Sequence, residues 1–448
     1  MDSKIKNLLL ISPKRPLWAK SEKITSMFER NNQFIRPWYA PPLGLLTIAA
    51  VTPKTINVQF VDEDFEEIDY SRSYDVVGIS LMTQQAYRAY QIADEFRNRN
   101  VNVVMGGIHP SVMPEEALEH ADSVFIGEAE ETWLEYLNDF NKDKIKKIYK
   151  KDDSCIYDIK NSPLPRYHLL KNENVKKNQR FFNFFPVQAT RGCPHNCSFC
   201  LVTQTYGKKI RKKEIKQVCT EIEEILKFNN NPLILFADDN LMVDRNYAIE
   251  LFKALIPYRI MWFGQADNRV GNDPELLKYA YNSGCSTLLI GFESLNSENL
   301  KGVNQSHWKM KQIEKYKNTV QNIQNNGIVA FSAFIIGFEY DNKETFKDIR
   351  DFMLDNHCPG QITFLTPVPG SQLYKEYFKQ NKLLDEKFWD KTNFFDIVFK
   401  HPVMSKTEME DGMIWLYDEV FNAENYFKRA AYMKEIYKLL PSRWLDMK

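Results

Sequence analysis

Short continuous apolar runs alternate with stretches of helical period along most of this chain. In the first third the runs are Leu8–Ile11, Val58–Val61, Val76–Leu81, Val101–Met105 and Val124–Ile126. Between them lie stretches such as Gln84–Asn98, which sets Ala86, Tyr90, Ile92, Ala93 and Phe96 on one helical face. A strand that is apolar on both sides must be covered on both sides. The alternation therefore predicts an α/β fold with a parallel sheet between helical layers. Five such strands before about Phe140 predict a doubly wound, Rossmann-like domain of the flavodoxin type. Its ligand crevice would lie beyond the strand C-termini.

The pattern breaks at 141–185. Lys142 to Lys151 is a charged run, and two prolines in Ser162-Pro163-Leu164-Pro165 discourage helix. Alternation resumes at Val187. Strands are predicted at Val187–Thr190, Leu233–Ala237, Met261–Gln265, Thr287–Phe292, Ile328–Ile336 and Ile362–Leu365. The helices between them are Glu214–Lys227, Tyr247–Leu255, Pro274–Ser283, Lys309–Asn325 and Lys343–Leu354. Six β/α units predict a partial barrel, two units short of a full one. From Ser371 onward, spacing such as Met413, Leu416, Val420 and Phe421 predicts a mainly helical C-terminal region. The predicted organisation is a first domain over 1–140, a linker over 141–185, a barrel-like core over 186–370 and a helical region over 371–448.

Composition narrows the function classes. The 448 residues carry 59 Lys plus Arg against 59 Asp plus Glu, a formal net charge of zero, so no nucleic-acid partner is expected. The longest apolar run, Leu43 to Val51, is far short of the ~18 residues of a membrane span. The apolar stretch after the charged Met1–Lys6 is too short for a signal-peptide core, so a cytoplasmic location is expected. Seven cysteines in such a chain make no disulfide framework. Cys155, Cys219, Cys285 and Cys358 are scattered and read as small buried apolar residues.

The other three cysteines carry chemistry. They stand in Arg191-Gly192-Cys193-Pro194-His195-Asn196-Cys197-Ser198-Phe199-Cys200, spaced C-x3-C-x2-C, directly after the first strand of the barrel-like core. Three thiolates on one loop can converge on a metal centre, and soft thiolates select zinc or an iron–sulfur cluster. A closed zinc site takes four ligands. No fourth cysteine lies nearby, and His195 inside the loop would be strained as a simultaneous ligand. Three cysteines on a four-iron cluster leave one iron open to bind a substrate or cofactor directly.

At these residues the chain resembles the radical S-adenosylmethionine superfamily, whose hallmark is this spacing with an aromatic residue, here Phe199, before the last cysteine. The resemblance implies a [4Fe–4S] cluster on Cys193, Cys197 and Cys200. The open iron chelates S-adenosylmethionine, and reductive cleavage gives a 5′-deoxyadenosyl radical. The resemblance also implies cofactor contacts at successive strand ends: Ala237, Asp238 and Asp239; Gln265 and Arg269; Glu293 and Ser294; Gly337; and Pro367, with Phe199 beside the cluster. An external electron donor such as flavodoxin or ferredoxin is implied.

The first domain resembles the cobalamin-binding subgroup of these enzymes. The resemblance rests on the strand ends Gly78–Thr83, Val103–Pro110 and Val124–Glu130, and on a domain order that puts this unit before the radical core. It implies cobalamin contacts at Ser80, Thr83, Gly106, Gly107 and Glu128. The D-x-H-x-x-G pattern that supplies an axial histidine in other cobalamin proteins is absent, so no histidine below the cobalt is expected; His109 is the single rival on these strand ends. The function implied is methylation of an unactivated carbon of a small-molecule or natural-product substrate. A radical oxidoreductase or cyclase using cobalamin as redox partner is the alternative. Behind it stands a cobalamin sensor with a vestigial cluster. No additional N-terminal cysteine trio is present to suggest a methylthiotransferase.

Overall fold

The five apolar runs of the first domain form a wholly parallel sheet. The strands are β1 (Asn7–Ser12), β2 (Asn57–Asp62), β3 (Val76–Ser80), β4 (Asn102–Gly106) and β5 (Ser123–Ile126). This structure is a computed structural model and describes residues 4–16, 18–31, 38–152, 156–170, 182–304 and 306–437. Cys155 lies outside the described residues. A sixth strand, β6 (Ile148–Lys150), lies within the charged run read as linker, and pairs with β5. It is an edge strand. Tyr149 alone turns inward, stacking on Phe125 with ring centroids 5.2 Å apart, while Ile148 and Lys150 are exposed on the other face. The strand order is β2-β1-β3-β4-β5-β6. The chain leaves β1 to one side for β2 and returns on the other for β3, so the switch point lies at the C-terminal ends of β1 and β3.

The second sheet is also wholly parallel, with its strands in sequence order. It comprises β7 (Phe185–Val187), β8 (Leu233–Phe236), β9 (Met261–Ala266), β10 (Cys285–Glu293), β11 (Val329–Ile336) and β12 (Gly360–Phe364). Helices begin where short polar side chains accept from the first turn: Asp244 from Tyr247 N at 3.1 Å, Asp273 from Leu276 N at 3.0 Å and Ser371 from Tyr374 N at 3.1 Å. The outer face packs against these helices in the main core. The inner face is a separate apolar group of Phe263, Leu289 and Ala333 with Phe184, Leu235 and Phe331 around it. Strand register sets Gln265 beside Leu289, and Leu289 beside Phe331, on that same inner face.

The first strand of this sheet ends earlier than predicted. Gln188 and Ala189 leave it, and Thr190–Arg191 pairs antiparallel with Arg211–Lys212 to close a hairpin around the cysteine loop. The buried carboxylate of Asp238 takes the departing backbone, accepting from Ala189 N at 3.0 Å and from Thr190 N.

The C-terminal region holds helices Gln372–Lys379, Lys406–Val420 and Ala423–Tyr437. It is more than a cap on the barrel. Phe28 of the first-domain helix Glu22–Arg30 stacks on Trp18 at 4.4 Å and meets Tyr417 edge-on at 5.4 Å. The domains are further joined by a two-residue parallel pairing of Trp38–Tyr39 with Phe182–Asn183. Among the described residues no helix is long and apolar enough to cross a membrane. Cys285 and Cys358 are buried as expected, whereas Cys219 is half-buried.

Candidate active site

The cysteine loop is set by backbone. Gly192 has φ of 101°, and a Cβ there would lie 2.5 Å from Lys209 O, so no other residue fits the turn. Cys193 N donates to Gly207 O at 3.3 Å, Ser198 N to Val303 O at 2.9 Å and Cys200 N to Cys197 O at 3.0 Å. Burial pushes the Cys197 thiol up to about 11 and the Cys200 thiol to about 12, with the neighbouring thiols and carboxylates adding to it. Free thiols in this loop hold their protons at neutral pH, and a metal centre would have to displace them. Among the described residues no three His, Cys, Asp or Glu side chains converge on a single-ion site.

Beside the loop lies a polar group built on Asp267, just past β9. Its carboxylate accepts from Arg269 Nε at 2.9 Å and Nη2 at 2.6 Å, from Asn240 Nδ2 at 2.9 Å, and pairs with His195 Nε2 at 3.1 Å. Burial opposes the charge, yet these partners together hold Asp267 well below the usual carboxylate range. Arg269 is therefore committed to Asp267, with its guanidinium 5.4 Å from the Trp308 ring centroid, on which His195 also packs at 4.4 Å.

At the end of β10 the register shifts between Gly291 and Glu293, and Glu293 takes φ of 67°. Its Oε1 accepts from the buried Lys309 Nζ at 2.7 Å, which also donates to Gly291 O at 2.9 Å. Burial pulls the Lys309 ammonium down, but Glu293, Cys197 and Asp267 outweigh it and raise it. Ser294 is buried and accepts from Asn296 N and Asn299 Nδ2, both at 3.1 Å, so its hydroxyl holds a turn. Gly337 has φ of 114°, and a Cβ there would meet Phe399 at 2.9 Å. The C-terminal region, not open space, occupies that direction. Phe199 lies 6.1 Å from Phe338, Pro367 is buried after β12, and Gln265 is half-buried on the inner face.

A cavity of about 480 Å³ opens between the two sheets. Ser80, Gly106, Gly107 and Glu128 line it from the first domain, and Gln188, Arg191, Tyr206, Ala237 and Asp239 from the second. Thr83 is buried and is not on the wall. Gly107 has φ of 98°, and a Cβ would lie 2.8 Å from Leu81 O, whereas Gly106 has ordinary room. Glu128 pairs with Arg191 and with Arg211 Nη1 at 2.6 Å, an ion bridge from the first domain to the cysteine-loop hairpin. His109 points away from the cavity. It is fully buried, with Nε2 2.9 Å from Tyr90 Oη and its ring 5.5 Å from Trp389. Asp238 is likewise sealed off at 0% exposure, while Asp239 lies on the cavity wall. The glycine cradle, the Ser80 hydroxyl and an unpartnered Asp239 oxygen are features that a macrocycle fringed with amides fits.

Sequence reasoning missed Lys309, Asp267, Asn240, Arg191 and Tyr206. Lys309 enters from a loop after β10 with no local motif. Asp267 stands two residues past a predicted strand end, and that position was its only signal.

Residues 37–137 match the B12 binding domain family model and residues 187–353 match the radical SAM superfamily. The chain is 31% identical over 416 residues to the bacteriochlorophyllide d C-8(2)-methyltransferase of Chlorobaculum tepidum, covering 91% of this chain and 90% of that one. It is 26% identical to the anaerobic magnesium-protoporphyrin IX monomethyl ester cyclase of Rubrivivax gelatinosus, over 78% of this chain and 66% of the relative. Its fold is shared with the cobalamin-dependent S-adenosylmethionine radical enzyme OxsB, at a TM-score of 0.69 and 15% identity, covering 97% of this chain and 72% of that one. With two domain models in the order the strands predict and a full-length relative of this similarity, the chain belongs to the cobalamin-binding radical S-adenosylmethionine enzymes.

Proposed function

We propose that this protein is a methyltransferase that adds a methyl group to an unactivated carbon of a small molecule. The observation that carries this reading is the cavity walled by the strand ends of both sheets, Ser80, Gly106 and Gly107 on one side and Gln188, Ala237 and Asp239 on the other. The bound groups supply a 5′-deoxyadenosyl radical, from the cluster and S-adenosylmethionine, and a transferable methyl group, from cobalamin. The chain's part is to bring the two together. Cys193, Cys197 and Cys200 would hold the cluster. Glu293, Lys309, Gln265 and the Ala237 backbone stand where S-adenosylmethionine would be received, with Phe199 and Pro367 flanking. Arg269 acts at one remove, by holding Asp267. Gly107 and Ser80 would let the corrin approach the first sheet.

The inner face of Phe263, Leu289, Phe331 and Leu235 excludes water from the lumen, which protects a carbon radical from quenching. That apolar face supports a sizeable, largely apolar substrate. Relatives point the same way, since their names give bacteriochlorophyllide d and hopanoid as substrates. The cysteine set supports a cytoplasmic location, and the cluster calls for a flavodoxin- or ferredoxin-type donor. A cyclase is the second reading, favoured by the likeness to the cyclase of Rubrivivax gelatinosus. Turnover with methyl-labelled S-adenosylmethionine separates the two. Label appearing in product together with deoxyadenosine is expected; deoxyadenosine with a desaturated or cyclised, unlabelled product would establish the second reading instead.

A further inference from the structure

Asp238 and Asp239 are adjacent at the end of β8, yet their carboxylates have opposite circumstances. Asp238 is fully buried and accepts from the backbone of Ala189 and Thr190. Asp239 lies on the wall of the cavity between the domains, and its Oδ2 has no hydrogen-bond partner among the described residues. The cation whose charge reaches it, Arg191, gives its hydrogen bonds elsewhere. Arg191 gives Nε to Gln188 Oε1 at 3.0 Å and Nη1 to Glu128 and Glu130. A carboxyl kept out of bulk water without a donor is costly unless a ligand supplies one. Burial, with the Asp238 charge added, outweighs the opposing Arg191 charge and pushes the Asp239 carboxyl up to about 7.

The cavity decides which ligand. Across it stand Ser80, Gly106 and Gly107, on the side where the functional reading seats the corrin. Lys309, Glu293 and Asp267 are not on this wall. The rim of a corrin carries primary amides, each offering two N–H donors. We infer that Asp239 accepts a hydrogen bond from a rim amide of cobalamin, and is not a ligand of the ammonium group of S-adenosylmethionine. This rests on the reading of the cavity as the cobalamin seat. The radical core then supplies half of the cobalamin site, and cobalamin bridges the two domains.

The test measures binding of hydroxocobalamin and, separately, of S-adenosylmethionine to the cluster-loaded full chain, with iron content as control. Asp239→Leu removes the acceptor and is expected to weaken hydroxocobalamin roughly tenfold to a hundredfold, the range for a lost hydrogen bond to a charged group. Asp239→Asn keeps an acceptor oxygen and the shape of the side chain, and is expected to stay within about threefold. S-adenosylmethionine affinity and iron content should hold in both. Weakened S-adenosylmethionine binding with unchanged hydroxocobalamin binding would overturn the assignment. So would unchanged binding of both, because water would then satisfy the carboxyl. A wild-type chain that bound no hydroxocobalamin would overturn the cavity's reading first, and this inference with it. Should the Leu variant lose iron, Asp239→Ala, which removes the acceptor without adding bulk, decides: a hydroxocobalamin loss of roughly tenfold or more with iron and S-adenosylmethionine binding retained supports the contact, and a loss confined to S-adenosylmethionine refutes it.

Discussion

Single residues in this site divide into those that would meet a cofactor and those that hold the frame, and their substitutions should separate accordingly. Replacing Cys193, Cys197 and Cys200 together by Ala should remove the charge-transfer absorption and bound iron of the reconstituted protein, while Cys219, Cys285 or Cys358 to Ala should leave iron unchanged. A triple variant with normal iron would sink the assignment. Asp62 shows the frame. Burial pushes it up to about 6, against the opposing hydrogen bond from the Tyr39 hydroxyl. A carboxyl whose pKa is raised on folding binds more protons in the native state. Its contribution is therefore full below about pH 4 and is lost as pH rises to about 6. Relative to Asp62→Asn, the wild type should lose stability across that window, by up to roughly 3 kcal/mol at 1.36 kcal/mol per unit. Unfolding midpoints of both proteins from pH 4 to 7 check this, and parallel curves would remove Asp62 as the source.

Elements explain what was legible and what was not. Continuous apolar runs such as Val76–Leu81 and Leu233–Ala237 announced buried parallel strands, because such strands must be apolar on both faces. The strand Ile148–Lys150 stayed hidden because an edge strand needs only one inward residue, Tyr149, and the lysines around it mimic a linker. The early end of Phe185–Val187 was equally hidden. It depends on Asp238, distant in sequence, taking the N–H groups of Ala189 and Thr190. The same distance effect misled the reading of Asp238 as ligand-facing, and hid the arginine partners of Glu128, which lines the cavity. Both carboxylates have partners that no local pattern could reveal. The bridge of Arg191 to Glu128 and Glu130 ties the cysteine-loop hairpin to the end of β5. Arg191→Ala leaves two carboxylates largely buried with one fewer cation, a loss of about 3–5 kcal/mol. Arg191→Lys should recover only part, because an ammonium cannot fork to Gln188 and both glutamates at once. Thermal unfolding of the three proteins tests this, and full recovery by Lys would show that charge alone, not the fork, holds the hairpin.

At the scale of the whole molecule, the C-terminal region is a brace that reaches back past the barrel to the first domain. The indole N–H of Trp389 donates to Glu116 at 2.7 Å, and Asp396 accepts from Lys20 N at 2.6 Å and Ser21 N at 2.9 Å. Those two N–H groups stand at the start of the helix Glu22–Arg30, whose N-cap residue, Ser21, makes no side-chain cap. Asp396 thus supplies from far along the chain the acceptor for the Ser21 N–H that the third helical residue of a capping box would give, and its negative charge suits a helix N-terminus. Helical spacing in the C-terminal region could predict its helices but not this docking, since Asp396 lies in an irregular segment between them. Asp396→Ala leaves two partly buried donors unpaired, at a cost of about 1–3 kcal/mol. Because the lost contacts belong to one helix start, the loosening should be local. Amide exchange should quicken over residues 20–25 and over the C-terminal contact, with β9 to β11 of the barrel unchanged. Unaltered exchange at Lys20 and Ser21 would mean that the helix start is held by Trp18 and Phe28 packing alone.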